Sequence, residues 1–274
     1  MTGNLPVALA RLPQMAAFLE QLTGPDAAER LDGATVLLPI GAIEQHGPHL
    51  PLSTDHVIAA EVAKAIVEEL GDELDLYVLP PLAFSKSNEH AWSKATMWLS
   101  NATMHRVLDD LARCVADSGA DRLVFLNGHG GNSTLLNVVC REARLAHGLL
   151  TFLIHPFPPP AYSPPRPDDG RSSELGMGIH GGLDETAVML HLAPETVDMS
   201  KAVRNVPEWL ARNEHVTFGG TVQFGWLSND FGSIGHIGDP TGASAEYGAE
   251  LFTTAVKLLG DQLREICSFA FDPR

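Results

Sequence analysis

The stretch Leu37–Asp55, LLPIGAIEQHGPHLPLSTD, decides how this chain folds around its polar residues. Its beginning continues an apolar run that starts at Thr35 and ends at Ile40. Such a run, stopped by a glycine, predicts a short buried strand. Glu44 and His46 follow two positions apart, so in extended chain their side chains point to the same side. The stretch therefore predicts a strand that leads into a loop carrying an acid and an imidazole.

The same loop carries two prolines and a second acid. Pro48 and Pro51 end the strand and stiffen the loop, and Asp55 opens a segment with helical apolar periodicity. Two carboxylates and an imidazole on one rigid loop are suitable ligands for a divalent transition ion. The alternative is a polar loop in which Asp55 only caps a helix. The stretch alone leaves both interpretations open.

Composition limits the class of protein. The chain has 274 residues, 45% of them hydrophobic, which predicts one large globular α/β domain over residues 1–274. Asp and Glu number 34 against 18 Lys and Arg, and a surface with a net charge of -16 repels nucleic acid and anionic membranes. Three widely spaced cysteines and a start without a basic or long apolar leader predict a soluble cytoplasmic protein.

Strand-like and helix-like segments alternate along the chain. This alternation is typical of βαβ units, so we expect an α/β fold with a mostly parallel sheet and helices on both faces. Gly24-Pro25 is expected to end the first helix. Strands are predicted at 35–40, 76–79, 122–126 and 149–154, and helices at 7–22, 55–70, 104–118, 133–146, 184–192 and 243–263.

The alternation stops at residues 156–167, PFPPPAYSPPRP, which hold seven prolines. Proline excludes a helix here and makes a central strand improbable, so the segment is predicted to be a stiff surface excursion. Whether it covers its own active site or that of a neighbouring copy stays open at this point.

Asn127–Asn132, NGHGGN, follows the apolar strand predicted to end at residue 126. Ligand sites in open α/β sheets lie outside the carboxyl ends of strands. The glycines permit positive φ and close approach of the backbone to a bound group, so His129 is a candidate ligand or catalytic residue. A phosphate loop is the weaker alternative, because the spacing differs from GxGxxG and no lysine follows.

Two further segments combine histidine with acid. His180 precedes two glycines, and Glu185 follows at the start of a predicted helix, where its role is either metal binding or electrostatic stabilisation of the helix N-terminus. Glu89, His90 and Trp92 lie in a polar, aromatic loop and are candidates for substrate binding, although the alternative is a polar surface over packed tryptophans. Of the other histidines, His49 is a candidate for orienting a metal ligand, and the rest have no supporting pattern and are expected to be structural or exposed.

Together the segments resemble the creatininase (creatinine amidohydrolase) family, in the family's order. The resemblance covers about residues 35–250, and its first block is highly specific. The matching segments are Pro39–Asp55, NGHGGN, the pattern His180-x4-Glu185-Thr-Ala, and GDPTGASA from Gly238.

The resemblance implies a three-layer α/β sandwich and a homo-oligomer, often a hexamer, that acts on a small molecule. It also implies two divalent metal ions per chain, with Asp55 as the bridge, and the N/O ligands suit Zn, Mn or Fe. His180 matches a family histidine thought to assist proton transfer. The implied metal ligands are Glu44, His46, Asp55 and His129, with Glu185 expected to supply a carboxylate that is missing at Gly131.

That missing carboxylate is one of two departures from the family pattern. Relatives that open creatinine's ring carry an acid at the position of Gly131, and many relatives have Pro and Gly where this chain has Lys94 and Ala95. Creatinine is therefore not the expected substrate. We expect hydrolysis of a C–N amide bond by a hydroxide shared between the two ions, with His180 protonating the leaving nitrogen. Alternatives are cleavage of a C–C or C–O bond in a cyclic polyol-derived ketone, and a non-catalytic metal-binding protein.

Overall fold

The computed structural model of the protein describes residues 18–167 and 174–271. The predicted alternation of strands and helices is confirmed there. The strands are β1 (Thr35–Ile40), β2 (Leu76–Val78), β3 (Arg122–Asn127) and β4 (Leu150–Ile154). The α-helices are α1 (Gly24–Arg30), α2 (Thr54–Leu74), α3 (Asn101–Asp117), α4 (Ser133–His147), α5 (Leu183–Leu192) and α6 (Ala245–Ser268).

The four strands form one parallel sheet in the order β2-β1-β3-β4. The chain leaves β1 in one direction to form β2 and then returns to the other side of β1 to form β3. This reversal creates a switch point between the carboxyl ends of β1 and β3, where loops diverge and leave a crevice. The last residues of the two strands, Ile40 and Asn127, are paired in register, so the loops that follow them start side by side.

Helices cover both faces of the sheet, as predicted. On one side α2, α5 and α6 pack against one another, and on the other α3 packs against α4. All six residues of β1 are buried, because a central parallel strand is covered on both faces. This is why the sequence of β1 is a nearly continuous apolar run. The fold is an α/β sandwich. None of the helices in the described ranges is both long and apolar enough to cross a bilayer.

The beginning of the chain differs from the prediction. Most of the helix predicted at 7–22 lies outside the described residues, and Leu19–Gln21 is a single 3-10 turn. The dipeptide Gly24-Pro25 begins α1 instead of ending a helix, and the Thr23 side chain caps it by accepting from the backbone N–H of Asp26. Gly24-Pro25 can begin a helix because proline is tolerated in the first helical turn, where a backbone N–H would have no intrahelical partner.

The proline-rich segment 156–167 contains no helix or strand, as predicted. Arg166 ties its end to the body of the protein, with Nη1 2.7 Å from Glu174 Oε2 and Nη2 2.8 Å from Asp184 Oδ2. Glu174 is buried and also accepts from the backbone N–H of Leu183. The excursion is thereby fixed to the first turn of α5.

Candidate metal centre

The loops after β1 and β3 and the start of α5 meet at the switch point of the sheet. Asp55 lies in the first turn of α2, whose N-cap is Ser53, so it does not cap the helix and its carboxylate is free to face the crevice. The six residues predicted to bind metal or move protons are brought together here: Glu44, His46, Asp55, His129, His180 and Glu185.

One group of candidate ligands joins the two central strands. His129 Nδ1 lies 3.3 Å from Glu44 Oε1 and 3.0 Å from Asp55 Oδ2. Glu44 and Asp55 are at most 2% exposed. Their facing oxygens, Oε1 and Oδ2, have no hydrogen-bond partner among the described residues, although the imidazole is close. Buried carboxylate oxygens without partners are costly unless a cation satisfies them.

A second group uses the other oxygen of the same aspartate. His46 Nε2 lies 3.0 Å from Asp55 Oδ1 and 3.9 Å from Glu185 Oε2. In both groups the candidate ligand atoms lie within 4.8 Å of one another. Asp55 therefore directs one carboxylate oxygen to each group.

His180 belongs to a third group with Glu44 and His46. Its Nε2 lies 2.7 Å from the backbone oxygen of Gln45. A carbonyl oxygen only accepts, so Nε2 carries the proton, and the unprotonated Nδ1 faces Glu44 Oε1 at 3.5 Å. Two acceptors that face each other in a buried site repel unless a proton or a metal ion lies between them. The donors are imidazole nitrogens and carboxylate oxygens, a set that suits zinc, manganese or iron.

The electrostatics of the cluster depend on mutual contacts of its members. Burial disfavours the charged form of His46, but Asp55 outweighs it through its charge and hydrogen bond and raises the pKa of His46 to about 10. Burial also disfavours a charged His129, yet Glu44 and Asp55 hold its pKa well above the usual value. Burial raises the pKa of Glu185 to about 7. Protons thus stabilise the cluster in the absence of another cation.

This proton dependence predicts how the metal-free protein responds to pH. His46 binds its proton more tightly in the folded chain, so its contribution to stability is complete below pH 6.5 and is lost as the pH rises through 10. Chelator-treated protein should therefore melt at progressively lower temperature across this range, as measured by circular dichroism. His46→Asn should make the decline shallower, and an equal decline in both proteins would contradict the role of His46.

Gln45 is a residue that the motif analysis missed. Its side-chain nitrogen lies 2.8 Å from His90 Nδ1 and 2.8 Å from the backbone oxygen of Gly235, while its side-chain oxygen accepts from the backbone N–H of Gly47 at 3.1 Å. The amide thereby fixes His90 beside His180, whose ring centroid is 4.2 Å away. Its position between Glu44 and His46 was the only available signal, and its side-chain nitrogen also lies 3.3 Å from His180 Nε2.

Gly128 gives the loop after β3 the close backbone approach that the sequence analysis expected of its glycines. The positive φ that glycine also permits is not used, because Gly128, Gly130 and Gly131 are absent from the described residues with positive φ. A Cβ on Gly128 would lie 2.7 Å from the backbone oxygen of Asp55. The loop can therefore approach the start of α2 closely, which brings His129 to Asp55.

The three residues predicted to bind substrate lie in different surroundings. His90 is buried, with Nε2 3.4 Å from Glu44 Oε1. Glu89 is buried behind His129, and its Oε1 lies 3.2 Å from His129 Nε2. Trp92 is 39% exposed and donates its indole N–H to Ser228 Oγ at 2.6 Å. Their role in substrate binding stays a prediction.

A cavity of about 240 Å³ opens beside the cluster. Its lining includes Asn127, His155, Phe157, Ile179 and Glu185. The first residues of the proline-rich excursion therefore form a wall of a cavity next to the cluster of their own chain. His155, for which the sequence offered no supporting pattern, belongs to this wall.

An apolar groove of about 650 Å³ adjoins the cavity. His155 and Phe157 line both spaces, which makes the groove a continuation of the cavity. The groove runs past Phe152 and Leu153 on the outer strand β4 towards Phe269 after α6. No further strand pairs with that edge in the described parts of the chain.

Comparisons with known proteins found relatives of this chain. A family model described as creatininase, creatinine amidohydrolase, matches residues 20–263. A mycofactocin precursor peptide peptidase of Mycolicibacterium smegmatis is 32% identical over 238 residues, which cover 84% of each chain. A creatinine amidohydrolase of Pseudomonas putida is 31% identical over 210 residues, which cover 70% of this chain and 78% of that one. A solved mutant creatininase superimposes with a TM-score of 0.74 at 25% identity, covering 93% of this chain and 100% of the other.

Proposed function

Because the chain belongs to the creatininase family, a group of metal-dependent hydrolases, we propose that it hydrolyses a C–N amide bond with two divalent ions. The observation that carries the proposal is the Asp55 carboxylate, whose two oxygens face two different groups of buried ligand atoms. Solved creatininases include a manganese form and a zinc–zinc form, which supports either metal here. The proposed ligands are Glu44, His46, Asp55, His129 and Glu185.

The bound ions would supply Lewis acidity, which polarises a carbonyl group and makes water a stronger nucleophile at neutral pH. The protein's own contribution begins with His180. Its Nε2–H donates to the backbone oxygen of Gln45, which fixes the tautomer and turns Nδ1 towards Glu44. Burial and the charge of His46 hold the pKa of His180 well below the usual value, so Nδ1 is unprotonated at neutral pH.

We assign the proton transfer to this nitrogen. Nδ1 accepts the proton of the attacking water and then gives it to the nitrogen that leaves when the C–N bond breaks. A positioned acid or base of this kind contributes roughly 10²–10⁴-fold to a rate. The neighbouring imidazoles support the assignment, because the tilted His46 and His90 rings, with centroids 4.1 and 4.2 Å from that of His180, restrict its orientation.

For the substrate we propose a linear, peptide-like amide with an apolar side chain. Creatinine is disfavoured, because Gly131 offers no acid and because Lys94 and Ala95 alter the loop that many relatives build with Pro and Gly. The groove beside the cavity favours a longer ligand, since it extends the cavity along apolar side chains. Four curated relatives are described as peptidases, which supports the same choice.

The substrate proposal is tested by comparing substrates of different size on protein loaded with zinc or manganese. Peptides ending in apolar residues, small formamides, creatinine and cyclic ketones are supplied separately, and product formation is followed by mass spectrometry. The peptides are expected to be hydrolysed fastest. Faster turnover of creatinine or of a cyclic ketone would overturn the proposed substrate class.

A single substitution tests whether the groove binds peptides, without changing the proposed catalytic residues. Phe157→Ala removes an aromatic wall shared by the cavity and the groove, so kcat/KM for apolar peptides should fall roughly 10-fold or more, the usual effect of losing an apolar pocket contact. Turnover of a small formamide should stay nearly unchanged. Tyr162→Ala is the matched control, because Tyr162 is 61% exposed in the same segment and lines neither space. Equal losses with peptide and formamide would contradict a role in substrate length.

A further inference from the structure

Position 131 requires glycine because no larger residue fits between the neighbouring side chains. Its backbone does not belong to the described residues with positive φ, so the conformation itself suits any residue. A Cβ built there would overlap Glu89 Oε1 and His129 Nε2 and would lie 2.8 Å from Glu89 Cδ. The adjacent Gly130 has no described heavy atom within 4 Å of its Cβ position. Gly131 therefore leaves a notch that the Glu89 carboxylate fills.

The carboxylate in the notch is held from several sides. Glu89 Oε2 lies 2.6 Å from Lys86 Nζ, and the backbone oxygen of Glu89 accepts from Ser228 Oγ at 3.2 Å. Ser228 in turn accepts from the indole N–H of Trp92. Glu89 is 6% exposed and lies in the 3-10 turn Asn88–His90. Its free oxygen, Oε1, is thereby directed to His129.

The two nitrogens of the His129 imidazole face different carboxylates. Nδ1 faces Glu44 and Asp55 of the proposed metal centre, whereas Nε2 lies 3.2 Å from Glu89 Oε1. Nε2 is buried and has no aligned hydrogen bond with any described residue, Glu89 Oε1 included. At 3.2 Å, Glu89 Oε1 is nevertheless within hydrogen-bond distance of Nε2. A histidine that binds metal through one nitrogen commonly donates the other N–H to a carboxylate, which fixes the ring.

We propose that Glu89 is the positioning residue of His129 and that Gly131 exists to admit its carboxylate. The inference rests on the proposed function, because it assumes that His129 Nδ1 binds a metal ion. Glu89 touches neither substrate nor metal in this role and acts by keeping Nε2 protonated and the ring oriented. It follows that Glu89 and a side chain at residue 131 exclude each other.

Metal affinity tests this role directly. Glu89→Gln keeps the size of the side chain and removes its charge, so the affinity for zinc, measured by competition with a chromophoric chelator, should fall roughly 10–100-fold. Gly131→Ala should lower the affinity similarly, because the added methyl group occupies the place of the carboxylate. Gly130→Ala is the matched control in the same loop and should leave the affinity unchanged. Thermal unfolding of each chelated variant confirms that it is folded.

A double-mutant cycle distinguishes positioning from general damage. If the methyl group of Gly131→Ala acts only by displacing Glu89, the double variant Glu89→Ala, Gly131→Ala binds zinc no more weakly than Glu89→Ala alone. Losses that multiply would overturn the coupling. The ¹⁵N chemical shifts of His129 in zinc-loaded protein give a second readout, since Glu89→Gln removes the carboxylate that faces Nε2 and should move the Nε2 resonance, whereas Gly130→Ala should not.

The outcomes separate this inference from the proposed function. Wild-type protein that binds neither zinc nor manganese would refute the metal centre itself. Wild-type protein that binds metal and hydrolyses amides, together with Glu89→Gln that matches it in affinity and in the His129 spectrum, would refute only the role of Glu89.

Discussion

Asp55→Asn is expected to abolish both metal binding and turnover. The amide preserves the shape of the side chain but removes the negative charge and replaces one of the two oxygens that face His46 and His129. Substitution of a residue that only supports a ligand costs 10–100-fold, so a residue shared by two ligand groups should lose more than about 100-fold in activity. Elemental analysis of purified protein and a peptide-hydrolysis assay measure the two losses.

The control for this substitution is a second aspartate–histidine pair. Asp109 Oδ1 lies 2.9 Å from His147 Nε2 on the surface, where solvent screens the pair. Asp109→Asn should leave metal content and turnover intact. Metal content and turnover that both survive Asp55→Asn would remove Asp55 from the centre, and with it the bridge between the two ligand groups.

Gly41→Ala is expected to damage the fold and the centre together. Gly41 follows β1, and a Cβ there would overlap the backbone of His56 and lie 2.8 Å from the carbonyl carbon of Asp55. These are backbone atoms of the first turn of α2, so relief of the clash requires the helix to move. Overpacking of this kind costs roughly 1–3 kcal/mol, or about 2–4 °C in melting temperature for each kcal/mol.

The movement should also weaken metal binding, because Asp55 travels with the helix. Calorimetry of the chelated protein gives the loss of stability, and chelator competition gives the loss of affinity. Gly130→Ala adds the same methyl group where no described heavy atom lies within 4 Å, so both quantities should match the wild type. A Gly41→Ala protein with unchanged melting temperature would show that β1 and α2 tolerate greater separation.

The ligand-bearing loops were predictable from sequence because the physics that places them is local. β1 and β3 are central strands, so they appear as continuous apolar runs, and the residues directly after them lie at the same edge of a parallel sheet. Glu44, His46 and His129 were therefore candidate ligands before any contact was known, and the family resemblance joined them in one metal site. Family resemblance added Glu185, whose helix-terminal position alone has a simpler explanation.

The supporting residues were not predictable, because their roles depend on distances between loops. Periodicity gives no indication that the amide of Gln45 lies between two histidines, or that Glu89 lies behind His129 and not beside the cavity. The role of Gly131 was unpredictable from sequence for the same reason. A glycine in sequence suggests positive φ, whereas here it provides space for a side chain from another loop.

The proposed ligands span residues 44–185, from the loop after β1 to the first turn of α5. During synthesis a ribosome would release the early acids and imidazoles long before Glu185 becomes available. A chain that ends before α5 therefore lacks one donor of the second group, and full metallation has to follow release of that helix. Metal occupancy would then report that synthesis has passed α5 and that the ligand-bearing loops have acquired their native arrangement.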